Sequence, residues 1–245
     1  MVTTHNASRQ LPDEGRVLAV LDFDGTITAA ENLEIVLQRM VGDAWRPLED
    51  EVRAGRLSHA ECLRRQIGLV RASRTEFLDA LLSVATQTPG FAGFLADLHQ
   101  RGGRAIVVSA GFSEAIGAFW RRERLPAISI FASEIDECSS DGHRSLALAF
   151  HPAFGDCPRC GIQACKGAIV HAQRLPGDIV VAFGDGASDL CLARAADLTF
   201  ARGHLSELCR AEALPWLPLT DFTRAQHDLD QWLTAPPSRR PQEAP

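Results

Sequence analysis

The sequence predicts an α/β domain built on a parallel sheet, with a helical segment inserted after its first strand. Short apolar segments of strand length alternate along the chain with amphipathic segments of helical periodicity, which is the pattern of βα units. From Glu31 to about Thr88 the apolar residues recur only at helical spacing. A chain of 245 residues with 46% apolar residues is sufficient for one core with a smaller insert.

The elements are expected in the following order. The strands are predicted at Arg16–Leu21, Arg104–Val108, Ala127–Phe131, Ile179–Phe183 and Leu198–Ala201. Helices outside the insert are predicted at Phe91–Arg101, Ser113–Arg122, Lys166–Gln173 and Ala187–Ala195. Residues 16–30 and 89–234 would form the core. Residues 31–88 would form a helical cap over the end of the sheet, or alternatively extra helices on one sheet face. The polar or proline-rich segments 1–15 and 235–245 predict disordered tails.

Composition and charge favour a protein that acts on a small molecule. A net charge of −6, the absence of tyrosine and an aromatic content of 7% argue against a nucleic-acid partner. The longest apolar runs have strand length, and the N-terminal residues do not resemble a signal peptide, so no membrane role is expected. Seven cysteines, an odd number, favour a reducing cytoplasm over a disulfide framework. Whether the protein is a monomer or a homodimer is open.

Polar clusters follow three of the predicted strands. The segments read LAVLDFDGTIT, AIVVSAG and VVAFGDGASD. Ligands of open parallel sheets bind at the carboxyl ends of the strands. We therefore expect the three clusters to converge on one crevice.

The first cluster places Asp22 and Asp24 two residues apart, followed by Gly25, which permits a tight turn. Phe23 can point into the core, which turns both carboxylates toward the crevice. Paired carboxylates suit a nucleophile with an acid/base partner, or a site for a hard cation. The structural alternative is an ordinary Asp/Gly turn after a strand.

The other two clusters add carboxylates and phosphate-binding groups. Asp185 can complete a Mg²⁺ site with Asp22, and Asp189 stands at a helix start, where it can also act as a simple cap. Ser109 and two backbone N–H groups precede a helix and suit phosphate oxygens. These N–H groups belong to Ala110 and Gly111.

Lys166 is the only lysine among 25 basic residues and begins an apolar helical segment. A lysine is usually solvated surface. At a predicted helix start its ammonium can face the crevice, and the scarcity of lysine in the chain favours a specific role there.

Together these residues resemble the haloacid dehalogenase superfamily of phosphohydrolases. Its four motifs are matched in chain order by DFDGT from Asp22, by Ser109, by Lys166 and by GDGASD from Gly184. The resemblance extends from about Val17 to Ala201 and implies a doubly wound, Rossmann-like core. It also implies a cap between the first two motifs.

The resemblance implies a phosphoester hydrolase with two catalytic aspartates. Asp22 would attack phosphorus and carry an aspartyl-phosphate. Asp24 would protonate the leaving oxygen and later deprotonate water. A Mg²⁺ ion would be held by Asp22, the carbonyl of Asp24 and Asp185. Asp24 favours phosphoester chemistry because dehalogenases lack this second aspartate.

The resemblance also implies the groups that hold the phosphoryl moiety. Lys166 and Ser109 would help to offset its charge, and Asp189 would orient Lys166. The remaining contacts would come from Thr26 and from the backbone of Ala110 and Gly111.

Within the superfamily, the likeness is to the branch of phosphoserine, phosphocholine-type and methionine-salvage phosphatases. Glu31, nine residues after Asp22, matches the acid with which phosphoserine phosphatases bind the substrate amine. Their carboxylate-binding arginine, however, corresponds to Gln66 here, which argues against phosphoserine. The segments GDGxSD, Phe200-Ala-Arg-Gly and LPLTDF look more like the methionine-salvage group, whose substrate is 2-hydroxy-3-keto-5-methylthiopentenyl 1-phosphate.

A cysteine cluster precedes Lys166. Three thiols and one imidazole would suffice for a tetrahedral structural zinc site, although a second CxxC pair is missing. A redox pair or an ordinary loop are the alternatives. The residues concerned are His151, Cys157, Cys160 and Cys165.

Two other functions compete with a phosphatase. A phosphotransferase or mutase would pass the phosphate from Asp22 to a sugar hydroxyl, and closure of the cap rather than the motifs would decide between them. A noncatalytic binding protein would be expected to have lost a carboxylate or the lysine, and neither is lost.

Overall fold

The computed structural model describes residues 16–140, 143–151 and 165–235. Its seven strands are β1 (Val17–Leu21), β2 (Arg104–Phe112), β3 (Ser129–Ser140), β4 (His143–Ala149), β5 (Ile179–Gly184), β6 (Leu198–Ala201) and β7 (Trp216–Pro218). They form one sheet in the order β4-β3-β2-β1-β5-β6-β7. All neighbours are parallel except β3 and β4. The predicted α/β class with a parallel sheet is confirmed.

The order in which the chain adds strands to the sheet reverses beside β1. From β1 the chain builds the sheet outward through β2 and β3, and β5, β6 and β7 then build it in the opposite direction. The two halves meet between β1 and β5, and such a reversal point is where doubly wound sheets bind ligands.

Ten α-helices accompany the described strands. Within residues 31–88 these are α1 (Asn32–Val41), α2 (Arg46–Arg53), α3 (His59–Leu69) and α4 (Arg74–Val84), with a 3₁₀ turn at Gly42–Trp45. The others are α5 (Phe91–Gln100), α6 (Ser113–Arg122), α7 (Lys166–Gln173), α8 (Leu190–Ala195), α9 (Gly203–Ala211) and α10 (Phe222–Thr234). A 3₁₀ turn at Ala187–Asp189 precedes α8.

Successive side chains of β1 point to opposite faces of the sheet and contribute to the core on both sides. On one face, Val17, Ala19 and Leu21 pack with α5, α6 and α10. Phe94 on α5 and Phe222 on α10 are fully or nearly fully buried there. Leu18 and Val20 pack with α7 and α8 on the opposite face. All five residues of β1 are buried, as expected for a central strand covered on both faces.

The helices of residues 31–88 have an apolar cluster of their own that reaches the rest of the chain. Leu37 and Phe77 belong to it, and so do Phe112 at the end of β2, Ile135 on β3 and Leu146 on β4. The β3–β4 hairpin therefore forms the surface on which the inserted helices pack. The division into core and cap at residues 30 and 88 stays a prediction.

The structure corrects several predicted boundaries. β2 ends at Phe112 rather than Val108, and β3 occupies Ser129–Ser140 rather than Ala127–Phe131. The predicted helix Ala187–Ala195 is a 3₁₀ turn followed by a shorter α-helix, and β4, β7, α9 and α10 are additional elements. The predicted tails lie outside the described residues except for Ala235. Within the described ranges, no helix is both long and apolar enough to cross a membrane.

Candidate active site

The site begins at the carboxyl end of β1, where the chain leaves the sheet in a tight turn over Phe23–Ile27. Asp22 follows the strand directly and is 6% exposed, and its N–H donates to the carbonyl of Phe183 on β5 at 3.0 Å. Phe23 is buried in the core cluster. The carboxylates of Asp22 and Asp24 thus flank a residue that anchors the turn to the core.

Lys166 forms two ion pairs inside the site. It is the first residue of α7 and only 2% exposed, and its Nζ lies 2.5 Å from Oδ1 of Asp22 and 2.6 Å from Oδ1 of Asp189. Burial alone would lower the pKa of Lys166, but the two carboxylates outweigh burial and raise this pKa. The ammonium therefore stays charged although it is buried.

Asp189 fastens the loop that follows β5. Its Oδ2 accepts hydrogen bonds from the N–H groups of Asp185 at 3.1 Å and Gly186 at 3.2 Å, while its Oδ1 accepts from Lys166. Asp189 is fully buried. From the sequence, Asp189 could either cap the loop or orient Lys166. In the structure its carboxylate hydrogen-bonds to both the loop and Lys166.

Asp185 lies in a crowded group of oxygens around Gly25. Gly25 has φ +68°, and a Cβ atom there would clash with the carboxylates of Asp185 and Glu31. The hydroxyl of Thr26 also faces Asp185, with Oγ1 3.4 Å from Oδ1. A left-handed conformation and close approach of carboxylates both require glycine at position 25. Glu31, predicted to meet a substrate amine, and Thr26, predicted to meet phosphate, both face Asp185.

Asp24 lies between the insert and β2. Its Oδ1 accepts a 2.6 Å hydrogen bond from Nδ2 of Asn32, and a Cβ on Gly111 would lie 2.8 Å from its Oδ2. Burial raises the pKa of Asp24 to about 6, against the hydrogen bond from Asn32, which lowers it. A carboxyl group with such a pKa can both give and take a proton near neutrality.

The end of β2 brings Ser109 close to Asp24. Ser109 is 1% exposed, and its Oγ accepts a hydrogen bond from the N–H of Gly111 at 2.9 Å. The carbonyl of Ala110 accepts one from Ser133 on β3 at 3.2 Å. Of the two N–H groups predicted to meet phosphate oxygens, that of Gly111 is therefore engaged by Ser109.

Arg202, just after β6, is a site residue that the sequence prediction missed. Its guanidinium donates to the carbonyls of Gly25, Thr26 and Thr28, with Nη2 3.0 Å from the last two. Arg202 Nη2 also reaches the hydroxyl of Thr88 at 3.4 Å. It thus joins the turn after β1 to both chain segments that lead into and out of the inserted helices.

We expect Arg202→Met to lower the free energy of unfolding by about 3 kcal/mol. Three carbonyls lose a charged donor, and that of Thr26 keeps the hydroxyl of Thr88 at 2.8 Å. Each of the other two would be an unsatisfied buried acceptor, which costs roughly 1–3 kcal/mol. Urea denaturation measures the change. Arg194→Met is the control, since it removes a partly exposed pair with Glu212 and should cost less than about 1 kcal/mol. Equal losses in the two variants would contradict a structural role of Arg202 in this turn.

The charge balance of the site suits a divalent cation. Among the described residues five carboxylates meet only two cationic groups, Lys166 and Arg202, in this region; the five are Asp22, Asp24, Glu31, Asp185 and Asp189. Burial, with help from the hydrogen bond to Glu31, raises the pKa of Asp185 to about 8. Buried oxygen ligands with surplus negative charge are what Mg²⁺ prefers.

The distances between carboxylate oxygens indicate which residues could hold such an ion. One carboxylate oxygen each from Asp22, Asp185 and Asp189 can be chosen so that all three lie within 4.8 Å of one another. Both oxygens of Asp189 already accept hydrogen bonds, so Asp22 and Asp185 are the better ligands.

Gln66 and the cysteine cluster were also singled out from the sequence. Gln66 on α3 donates to Glu49 on α2 at 2.7 Å, within the inserted helices. Of the cysteine cluster, Cys157 and Cys160 lie outside the described residues. Cys165 is buried beside Lys166, and His151 packs edge-on against Phe131. A zinc site stays a prediction.

Comparisons with known proteins agree with this arrangement. The family model of the haloacid dehalogenase-like hydrolases matches residues 19–194. A 2-hydroxy-3-keto-5-methylthiopentenyl-1-phosphate phosphatase of Exiguobacterium sp. is 30% identical over 205 residues, covering 83% of this chain and 92% of the relative. The enzyme of the same name from Geobacillus thermodenitrificans is 30% identical, covering 82% and 90%. A substrate-bound phosphoserine phosphatase has a TM-score of 0.66 at 21% identity, covering 88% of this chain and 99% of that structure.

Proposed function

The chain belongs to the haloacid dehalogenase-like hydrolase family and is a phosphatase, and from that premise we propose that it hydrolyses a small phosphomonoester through a phosphorylated Asp22. The observation that carries this proposal is the buried pairing of Lys166 with Asp22 at 2.5 Å and with Asp189 at 2.6 Å. Asp24 stands two residues further along the same turn. The residues that we propose as nucleophile, fixed cation and proton donor therefore lie close to the end of one strand.

In the first half of the reaction, a carboxylate oxygen of Asp22 attacks phosphorus opposite the leaving group. The bond from phosphorus to the ester oxygen breaks, and the carboxyl proton of Asp24 passes to that oxygen, so a neutral alcohol leaves. Lys166 offsets charge on the phosphoryl oxygens from a water-poor position, where a fixed cation is most effective. Asp189 keeps Lys166 in place through its Oδ1.

In the second half, water attacks the phosphorus of the aspartyl-phosphate. Asp24, now ionised, takes the proton of that water, the bond to Asp22 breaks, and inorganic phosphate is released. Asp22 and Asp185, with the carbonyl of Asp24, would hold a Mg²⁺ ion. When bound, this ion neutralises negative charge on the phosphoryl group and orients it toward Asp22.

We propose 2-hydroxy-3-keto-5-methylthiopentenyl 1-phosphate as the substrate, because relatives that align with more than four-fifths of this chain carry that name. Phosphoserine is the less favoured candidate. Phosphoserine phosphatases bind the carboxylate of their substrate with an arginine, and Gln66 stands at the corresponding position here. The amide of Gln66 donates a hydrogen bond to Glu49. A cytoplasmic location and a monomeric or dimeric state stay predictions.

The test is phosphate release from a panel of phosphomonoesters with Mg²⁺ and with EDTA. The panel contains the methylthio enol phosphate, phosphoserine, phosphocholine, glycerol 1-phosphate and 4-nitrophenyl phosphate. We expect release that requires Mg²⁺, with the methylthio compound preferred over phosphoserine. Undiminished release in EDTA would contradict the metal site, and folded protein inactive on the whole panel would contradict the phosphatase.

A further inference from the structure

Asn32 connects the inserted helices directly to Asp24. It is the first residue of α1 and is 1% exposed. Its Nδ2 lies 2.6 Å from Oδ1 of Asp24 and 2.9 Å from Oγ1 of Thr28. The two hydrogens of the amide are thereby both used, one on the carboxyl group and one on the segment leading into the insert.

The hydroxyl of Thr28 fixes the direction of this bonding. It faces the carbonyls of Phe23 at 3.2 Å and Ala30 at 3.0 Å, and so donates its proton to backbone. Its oxygen is then left to accept from Asn32. The amide group of Asn32 is consequently oriented by two acceptors, of which Asp24 lies in the turn after β1 and Thr28 in the segment leading into the insert.

This contact distinguishes the two oxygens of Asp24. Oδ1 accepts from Asn32, whereas Oδ2 lies on the side of Gly111, where a Cβ would approach it to 2.8 Å. A carboxyl oxygen that accepts a strong hydrogen bond is the poorer place for the proton. The proton of the acid is therefore directed to Oδ2, beside the end of β2.

We propose that Asn32 is a positioning residue that holds Asp24 with Oδ2 aimed at the leaving oxygen of the substrate, a role that rests on the proposed function. Val36 and Leu37 anchor α1 in the apolar cluster of the insert. The orientation of Asp24 therefore depends on the packing of the inserted helices.

The test compares two leaving groups in Asn32→Leu and Asn32→Ala. An alkoxide is a strong base and needs the proton of Asp24 to leave, whereas 4-nitrophenolate is a weak base and leaves without it. The constant kcat/KM reports all steps up to departure of the leaving group. We expect kcat/KM for glycerol 1-phosphate to fall about 100-fold, within the range of general acid catalysis, and that for 4-nitrophenyl phosphate to fall less than about fivefold.

Gln66→Leu is the matched control, since it removes a second buried amide of the insert whose partner is Glu49. It should lower stability without changing the ratio of the two kcat/KM values. Asp24→Asn should show the same selective loss as the Asn32 variants, but larger. If kcat/KM falls equally for both esters in an Asn32 variant, so that the ratio of the two values is unchanged, the positioning role is overturned.

The same data separate this inference from the function beneath it. If the native protein cleaves neither ester, or if Asp24→Asn cleaves glycerol 1-phosphate as well as the native protein does, the proposed mechanism fails and the role of Asn32 fails with it. A selective loss in Asp24→Asn but not in the Asn32 variants leaves the mechanism intact and overturns the role of Asn32 alone.

Discussion

Asp22→Asn is expected to abolish turnover while leaving the fold intact. The amide is a poor nucleophile, and loss of a catalytic nucleophile typically costs four or more orders of magnitude in kcat. The amide oxygen can still accept the hydrogen bond from Lys166. Burial raises the pKa of Asp22 well above its ordinary value although Lys166 pulls it down, so removing this charge should not lower the thermal unfolding midpoint.

Phosphate release and circular dichroism measure the two halves of this prediction. Asp178→Asn is the matched control, because Asp178 is also buried and paired, with Arg104 at 2.5 Å, but lies at the other end of β5. The control should lose stability and keep its activity within about twofold. Turnover by Asp22→Asn within tenfold of the native rate would rule out the covalent route.

Lys166→Met should have the second-largest effect, lowering kcat by about a thousandfold. Removing one preorganised charged donor from a dry site costs roughly 10²–10³ in rate, and Lys166 contacts two site carboxylates. The same change leaves Asp22 and Asp189 buried without their partner. Breaking a buried pair in this way costs about 3–5 kcal/mol.

The double variant Lys166→Met/Asp22→Asn separates these two effects. It removes one of the two stranded carboxylates, and we expect it to recover part of the lost stability but none of the activity. Because Lys166 is the only lysine of the chain, selective isotopic labelling gives one lysine side-chain resonance that reports its charge directly. A decrease in kcat of less than tenfold in Lys166→Met would mean that another group, such as Arg202, offsets the phosphoryl charge.

The sequence predicted the central part of the fold because there the local pattern and the tertiary structure agree. β1 is buried on both faces, so it appears as an uninterrupted apolar run ending in Asp22. β4 was missed because it is an antiparallel strand whose partner, the far half of β3, is polar in sequence. Nothing local to residues 143–149 indicates that the inserted helices cover Leu146.

The site was predictable where residues stand at strand ends and not where they act from a distance. Asp22, Asp24 and Asp185 belong to segments whose strand-end position is visible in the sequence, and Lys166 is the only lysine of the chain and stands at a predicted helix start. Arg202 is one of 24 arginines, and its carbonyl acceptors lie more than 170 residues earlier. Asn32 follows Glu31, which was singled out because it matches the amine-binding acid of phosphoserine phosphatases, yet Asn32 contacts Asp24 and Glu31 faces Asp185.

The most direct test of the central claim is to trap the phosphoryl group on Asp22. Asp24→Asn should still accept a phosphoryl group from 4-nitrophenyl phosphate but should hydrolyse it slowly, because the base that activates water is missing. After an acid quench, mass spectrometry should find one phosphoryl group on the peptide that contains Asp22, and none in Asp22→Asn/Asp24→Asn. Release of nitrophenolate without any phosphorylated Asp22, or a phosphoryl group on a different residue, would contradict the aspartyl-phosphate mechanism.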